Sequence, residues 1–363
     1  MQAFLAECTW QSLLMLGVGG LLIYLAIKRD MEPALLLPMG FGTIMVNLPF
    51  AHNAAITTLF NMGIANELFP LLLFIGIGAM MDFGPLLENP KLLLFGAAAQ
   101  AGIFLTLGIA LAIGFRLEDA ASIAIIGAAD GPTSIYVANY FRSQYQGAIM
   151  VAAYSYMALV PIIQPPVIRL LTTRRERLIR MEYKPGKVTR RKRILFPIIV
   201  TLIAGTIAPA SAELIGFLMF GNLVRECGVL DSLSATAQNV LANLITLVLG
   251  LTVSLKMQAE LFVNTATLMI IGLGLVAFVL DTAGGVLFAK LLNLFLPKKV
   301  NPMIGAAGIS AFPMSSRVIH KMGRKEDPEN FLLMHAAGCN VSGQIMSVIA
   351  GGILIAMVER MIG

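Results

Sequence analysis

The sequence predicts an all-α polytopic membrane protein, built from two inverted repeats of about five spans each with a broken, re-entrant hairpin in each half. Three observations predict it. Hydrophobic residues make up 58% of the 363 residues and charged residues only 13%, and the mean hydropathy is +0.83; a soluble domain carries about 25% charged residues. The apolar residues lie in long uncharged blocks such as Ile103–Phe115 and Leu268–Leu280, which with their flanks reach the roughly 20 residues that cross a bilayer. The basic residues, finally, are concentrated: eleven fall between Arg169 and Arg193 against only Glu176 and Glu182, in a chain whose net charge is +6.

Spans are expected near 10–27, 33–50, 67–82, 92–115 and 147–168, and again near 194–209, 212–225, 238–255, 265–292 and 331–358. No basic segment precedes the first apolar block, whereas Lys28 and Arg29 follow it. That argues against a cleaved signal peptide and places the N-terminus on the far side. A basic run can bind nucleic acid or anionic lipid, but in a membrane protein the 169–193 segment reads as a cytoplasmic loop obeying the positive-inside rule. No nucleic-acid partner is expected. Cys8, Cys227 and Cys339 are odd in number and far apart, which suggests neither a disulfide framework nor a metal site.

Two apolar stretches, around 120–140 and 301–316, are too rich in Gly, Pro and Ser for ordinary spanning helices. They also resemble each other: IGAADGPTS at Ile126–Ser134 echoes IGAAGISAFP at Ile304–Pro313. Leu71–Phe83 likewise resembles Leu244–Met257, and Gly40–Pro49 resembles Gly216–Val224, in the same order and at offsets of 173 to 178 residues. Residues 1–168 therefore read as a first repeat, 169–193 as the cytoplasmic loop and 194–363 as a second repeat. An odd number of spans per half inverts the second copy. Lys28, Lys91, the basic loop, Lys290, Lys298 and Lys299 then all fall on one side. Inverted repeats with discontinuous segments are the architecture of secondary transporters, with the site at the repeat interface.

Asp130 stands in IAIIGAADGPTSIYVANY, with no Lys or Arg from Glu118 through Phe141. An acid at membrane depth costs about 2.5–3.5 kcal/mol on insertion scales and usually marks function. Gly127, Gly131 and Pro132 break the helix around it and are expected to free carbonyls. With Thr133 and Ser134 these would make a hard-oxygen environment suited to Na+. The second broken stretch offers Asn301, Ser310, Ser315, Ser316 and Arg317 but no acid, and Asn301 also reads as a helix cap. The last span carries Asn340, Ser342 and Gln344, either as glue between helices or as ion ligands. Tyr154 and Tyr156 read as packing or as part of a proton path, and Asp281 is a second membrane acid and a rival proton carrier. No Walker-type phosphate loop occurs.

GAADGPTSIYVANY together with NPMIGAAGISAFPMSSRV closely resembles the β subunit of the sodium-pumping, biotin-dependent decarboxylases, and GCNVSGQI adds a third block. The similarity runs from the first span to the last. The family acts on oxaloacetate, methylmalonyl-CoA, glutaconyl-CoA or malonate. The resemblance implies a membrane subunit that decarboxylates carboxybiotin, consuming a proton and exporting Na+ across the bacterial inner membrane. Carboxybiotin would be presented by a carboxyltransferase/biotin-carrier partner, alongside a small membrane-anchoring γ-type subunit and in a homo-oligomer, a trimer by resemblance. Matched motif by motif, Asp130, Asn301 and Asn340 would hold Na+, with Gly305 and Ser342 beside them. Tyr156, Ser310 and Arg317 would serve the second ion site, the proton path or carboxybiotin. The alternative is a secondary Na+-coupled carboxylate transporter of the same architecture that performs no chemistry.

Overall fold

The computed structural model describes residues 9–49, 53–183, 186 and 188–363. Cys8, the end of the expected 33–50 span, and Lys184 and Lys187 of the basic loop lie outside the described residues. Within those described the chain is helical, with no strand.

In the first half, α1 (Trp10–Arg29) starts at Thr9, whose hydroxyl accepts from the Ser12 amide, and ends with Lys28 and Arg29 over its last carbonyls. Next come α2 (Pro33–Val46) and the pair α3 (Ala54–Gly63) and α4 (Leu68–Met80), bent by 64°. After these, α5 (Leu92–Ala99) and α6 (Ala101–Ile113) run on as one 22-residue apolar span with a single break at Gln100. Then α7 (Leu117–Ala124) tightens into a 3-10 turn over Ile125–Ala128, and α8 (Gly131–Tyr140) follows. The half closes with α9 (Gln146–Leu171).

The second half holds α10 (Arg190–Ile207), α11 (Ala212–Glu226), α12 (Ala242–Val253) and α13 (Thr265–Phe295). A 3-10 segment, Pro302–Gly308, leads to α14 (Met314–Glu326) and finally α15 (Leu333–Ile362). Among the described residues six helical stretches are long and apolar enough to cross a bilayer, α12 lying within one that runs from Asp231 to Met257, or seven if the bent α3–α4 pair counts as one span. Ten were expected, and the difference has a geometric reason. At about 1.5 Å per residue, the 14 residues of α2 and the 15 of α11 fall short of a hydrocarbon core about 30 Å thick. In α10 the first turn is Arg190–Arg193.

Both broken stretches fold as expected from their glycines and prolines. The first turn ends at Ala129 in the left-handed region (φ 52°), and Asp130 then caps α8 with Pro132 in its opening turn. Asn301 caps the second with Pro302 behind it. The halves interleave rather than stand side by side. Helix α4 packs on α11 and α12 packs on α2. The amide of Asn47 donates to the Met257 carbonyl, while Asn222 donates to the Met81 carbonyl, so each half holds a helix end of the other. The basic loop is tied to the same end of the molecule by ion pairs: Arg177 with Glu326 at 2.8 Å, Arg180 with Asp327 at 2.6 Å, Arg193 with Asp82 at 3.5 Å, and Glu176 with Lys290 at 3.2 Å.

Candidate functional site

Asp130 lies at the N-terminus of α8, buried to 3% exposure, with no ion-pair partner among the described residues. Its place follows from the local sequence: the αL residue Ala129 turns the chain, and the carboxylate caps the helix by accepting from the Thr133 amide at 3.3 Å. Four further donors converge on Oδ2. They are Thr133 Oγ1 at 2.7 Å, Ser347 Oγ at 2.7 Å, Gln344 Nε2 at 2.9 Å and Ser310 Oγ at 3.0 Å. The Ser347 and Ser310 hydroxyls also lie 3.1 Å apart. The first broken stretch thus supplies the charge and, through Thr133, part of the polar shell, while the second broken stretch and the last helix supply the rest.

The two hairpin tips are joined directly, because the Ser310 amide donates to the Ala128 carbonyl at 2.9 Å. Other carbonyls of the broken backbone are capped by amide side chains. Gln164 Nε2 serves Ala306 O at 2.8 Å, Gln100 Nε2 serves Gly308 O at 3.2 Å, and Asn340 Nδ2 serves Ile309 O at 2.8 Å. The sequence reading expects such carbonyls to be free for a cation. With no water in the bilayer core to satisfy them, the fold pairs them within the protein instead. Among the described residues, two amide oxygens of these capping side chains, Asn340 Oδ1 and Gln100 Oε1, are buried without a partner.

The residues singled out in the sequence divide into three groups. Asp130 and Ser310 meet, and Asn340 sits next to them through Ile309. Asn301 and Ser342 are engaged elsewhere. Asn301 donates to the carbonyls of Arg177 and Ile179 and accepts from Met303, so it fastens the basic loop to the second hairpin. Ser342 donates to Leu93 O at 3.1 Å, on the far side of α15 from Gln344. Gly305 lies backbone to backbone against Gly285, and a Cβ on either would overlap the other's carbonyl oxygen. Tyr156 donates to the Ile271 carbonyl and stacks on Phe278, while the Tyr154 ring covers Gly131. Arg317 is exposed in the first turn of α14; burial holds the Glu32 carboxyl above its usual range, and the Arg317 guanidinium offsets part of that rise.

Ser347, Gln164 and Gln100 are the contributors that sequence reading missed. For Ser347 a signal was present: Asn340, Gln344 and Ser347 recur at i, i+4 and i+7 and so share one helix face. Gln164 and Gln100 carried no comparable pattern.

The arrangement has a definite chemistry. Hydroxyls both donate and accept, so Thr133, Ser310 and Ser347 can point protons at an empty carboxylate or lone pairs at a cation. One carboxylate among neutral oxygens carries one formal charge, which suits a hard monovalent cation.

Comparison with known proteins agrees with that chemistry. The family described as the Na+-transporting oxaloacetate decarboxylase beta subunit matches residues 11–358. Methylmalonyl-CoA decarboxylase subunit beta of Veillonella parvula is 51% identical over 358 residues, covering 98% of this chain and 95% of the relative. Glutaconyl-CoA decarboxylase subunit beta of Acidaminococcus fermentans is 50% identical over 353 residues, covering 96% and 94%. The oxaloacetate decarboxylase beta chain of Haemophilus ducreyi is 43% identical over 420 residues, covering 98% and 96%. The chain belongs to the family of Na+-transporting decarboxylase beta subunits and is a multi-pass membrane protein.

Proposed function

We propose that this chain decarboxylates carboxybiotin and couples that reaction, with uptake of a proton, to Na+ export across the inner membrane. The observation that carries the reading is the Asp130 carboxylate, buried with no ion-pair partner among the described residues and ringed by donors from both broken stretches and α15. In this reading Asp130 exchanges Na+ for a proton as the site faces each side in turn. Each occupant neutralises the acid, so no uncompensated charge is buried.

Thr133, Ser310 and Ser347 reorient to hold whichever cation is present, and Asn340 adds its free amide oxygen. Carboxybiotin, brought by a partner subunit, would supply the driving chemistry by losing CO2 and taking a proton on its ureido nitrogen. The residues fit such a group: the exposed Arg317 guanidinium suits a carboxylate, and Ser310, seven residues before it, already touches Asp130. Moving one charge against 100 mV costs about 2.3 kcal/mol, within reach of a favourable decarboxylation.

The halves are read as inverted repeats around this site. Support comes from the reciprocal Asn47 and Asn222 contacts and from the 3-10 break in each half. Because relatives are named as beta subunits or chains, the chain is read as working with a carboxyltransferase/biotin-carrier subunit and a γ-type subunit in an oligomer.

The test uses the whole complex in proteoliposomes. Asp130→Asn keeps size and most hydrogen bonds but neither charge nor titratable proton. It should lower Na+-coupled decarboxylation by about a hundredfold or more, the scale of removing an essential proton-transfer group. Elution profile and thermal stability should stay near wild type. Near wild-type turnover would end the reading.

A further inference from the structure

A second acid lies on the other side of the same hairpin. Asp281, in the middle of α13, is fully buried, and neither carboxylate oxygen has a hydrogen-bond partner. Its neighbours are glycine backbones. A Cβ on Gly102 of α6 would overlap Oδ1, and a Cβ on Gly127 would lie 2.6 Å from Oδ2. Gly127 belongs to the 3-10 turn Ile125–Ala128, three residues before Asp130. The two acids thus flank one short piece of broken backbone.

We propose that Asp281 is a proton-binding carboxyl of this transporter, seated behind the turn that carries Asp130, and that it exchanges its proton when that turn moves. The proposal rests on the reading of Asp130 as the sodium-binding acid. Three physical arguments carry it.

The first is charge. A buried carboxylate must be neutralised by a partner or by a proton, and the surrounding elements offer no partner. Helices α5 and α6 and the segments 125–128 and 302–308 contain no ionisable residue. On α9 the ionisable groups are Tyr154, Tyr156 and Arg169; Tyr156 stacks on Phe278, one turn before Asp281. On α7, Glu118 pairs with Arg116, while Asp119 is held by Ser143 and Gln144. The other charge on α13, Lys290, is paired with Glu176.

The second is room. Na+ needs a shell of oxygens around it, whereas glycine backbone closes on Asp281 from two sides. A proton needs no shell and neutralises the carboxyl without any partner.

The third is release. Gly102, at the start of α6, meets Oδ1 with bare backbone, and Gly127 of the Ile125–Ala128 turn meets Oδ2 in the same way. A displacement of the Ile125–Asp130 turn away from α13 would open a path for water and a proton to Oδ2 of Asp281. Sodium at one acid and the proton at the other are linked through that shared backbone.

The experiment is infrared difference spectroscopy of the purified complex in lipid, with Na+ minus without, on wild type, Asp281→Asn and Asp130→Asn. Wild type should show a protonated-carboxyl carbonyl band that responds to Na+ and is lost in Asp281→Asn. In Asp130→Asn the band should remain but cease to respond. A spectrum of Asp281→Asn identical to wild type would overturn the proposal. So would an Asp281 band that is present but indifferent to Na+, since the acid would then be a fixed structural group. If Asp130→Asn retains Na+-driven turnover while the Asp281 band still responds, the reading of Asp130 fails and the proton site stands. Should Asp281→Asn not accumulate, Asp281→Ser, which needs no extra space, gives the same readout.

Discussion

At Asp130 one backbone turn does two things: it ends a 3-10 segment at Ala129 and leaves a carboxylate capping α8 deep in the protein. The sequence marked this residue, because an unpaired acid amid Gly and Pro in an apolar stretch is legible without coordinates. Ser310 was legible by its place in the second broken stretch. Ser347 was not, although it makes one of the two shortest contacts to the carboxylate, at 2.7 Å. A hydrogen bond to a charged group is worth about 1.5–3 kcal/mol. Ser347→Ala should therefore raise the Na+ concentration for half-maximal decarboxylation about tenfold or more, with the maximal rate less affected. Ser342→Ala, on the other face of α15, should leave that concentration near wild type. Sodium titrations of the two variants check this, and the reverse ranking would remove Ser347 from the site.

The basic loop shows what an element is held by. Charge patterning marks it as topological, and the structure ties it through Arg177, Arg180 and Arg193 to acids of α14, its following turn and the α4 end. Arg180 holds the Asp327 carboxyl below its usual range. That contribution is complete above the unfolded-state value of about 3.9 and is lost as pH falls through the lower folded value, so it is intact at neutral pH. Solvent screening leaves surface pairs of this kind with little effect on stability singly. Replacing Arg177, Arg180 and Arg193 together by Gln should reduce the amount of correctly inserted protein and speed tryptic cleavage of the loop. Turnover per folded molecule should fall by no more than about twofold. Normal insertion with abolished turnover would instead make the loop a docking surface for the biotin-bearing partner.

Across the whole molecule, the ring around Asp130 joins residues far apart in the chain, from Thr133 to Ser347. A ligand held by that ring links the two halves, so binding should oppose unfolding of both. Stabilisation follows RT ln(1 + [L]/Kd), about 2.7 kcal/mol at a hundred times Kd. Na+ should therefore raise the unfolding temperature of the purified protein in a saturable way, while K+ or choline at equal ionic strength should not. Asp130→Asn should abolish the difference between the ions. Equal protection by all three would mean that the effect is ionic strength alone.

Composition, block hydropathy, the basic loop and the motif pair determined membrane class, helical fold and family, because each is carried by residues adjacent in the chain. The position of Asp130 belongs with these. Only the tertiary structure decided which polar groups face it. Helix phase puts Ser347 and Gln344 toward the acid and Ser342 away. Asn301 reads in the sequence as a helix cap or, by resemblance, as a ligand, and only the fold shows its amide holding the Arg177 and Ile179 carbonyls. The glycine contacts around Asp281 join α6, α13 and the 125–128 turn, and no local pattern encodes an approach between backbones so distant in sequence. The reason is general: burial in a bilayer penalises an unpaired polar group, and which partner a group finds, or fails to find, depends on packing between segments far apart along the chain.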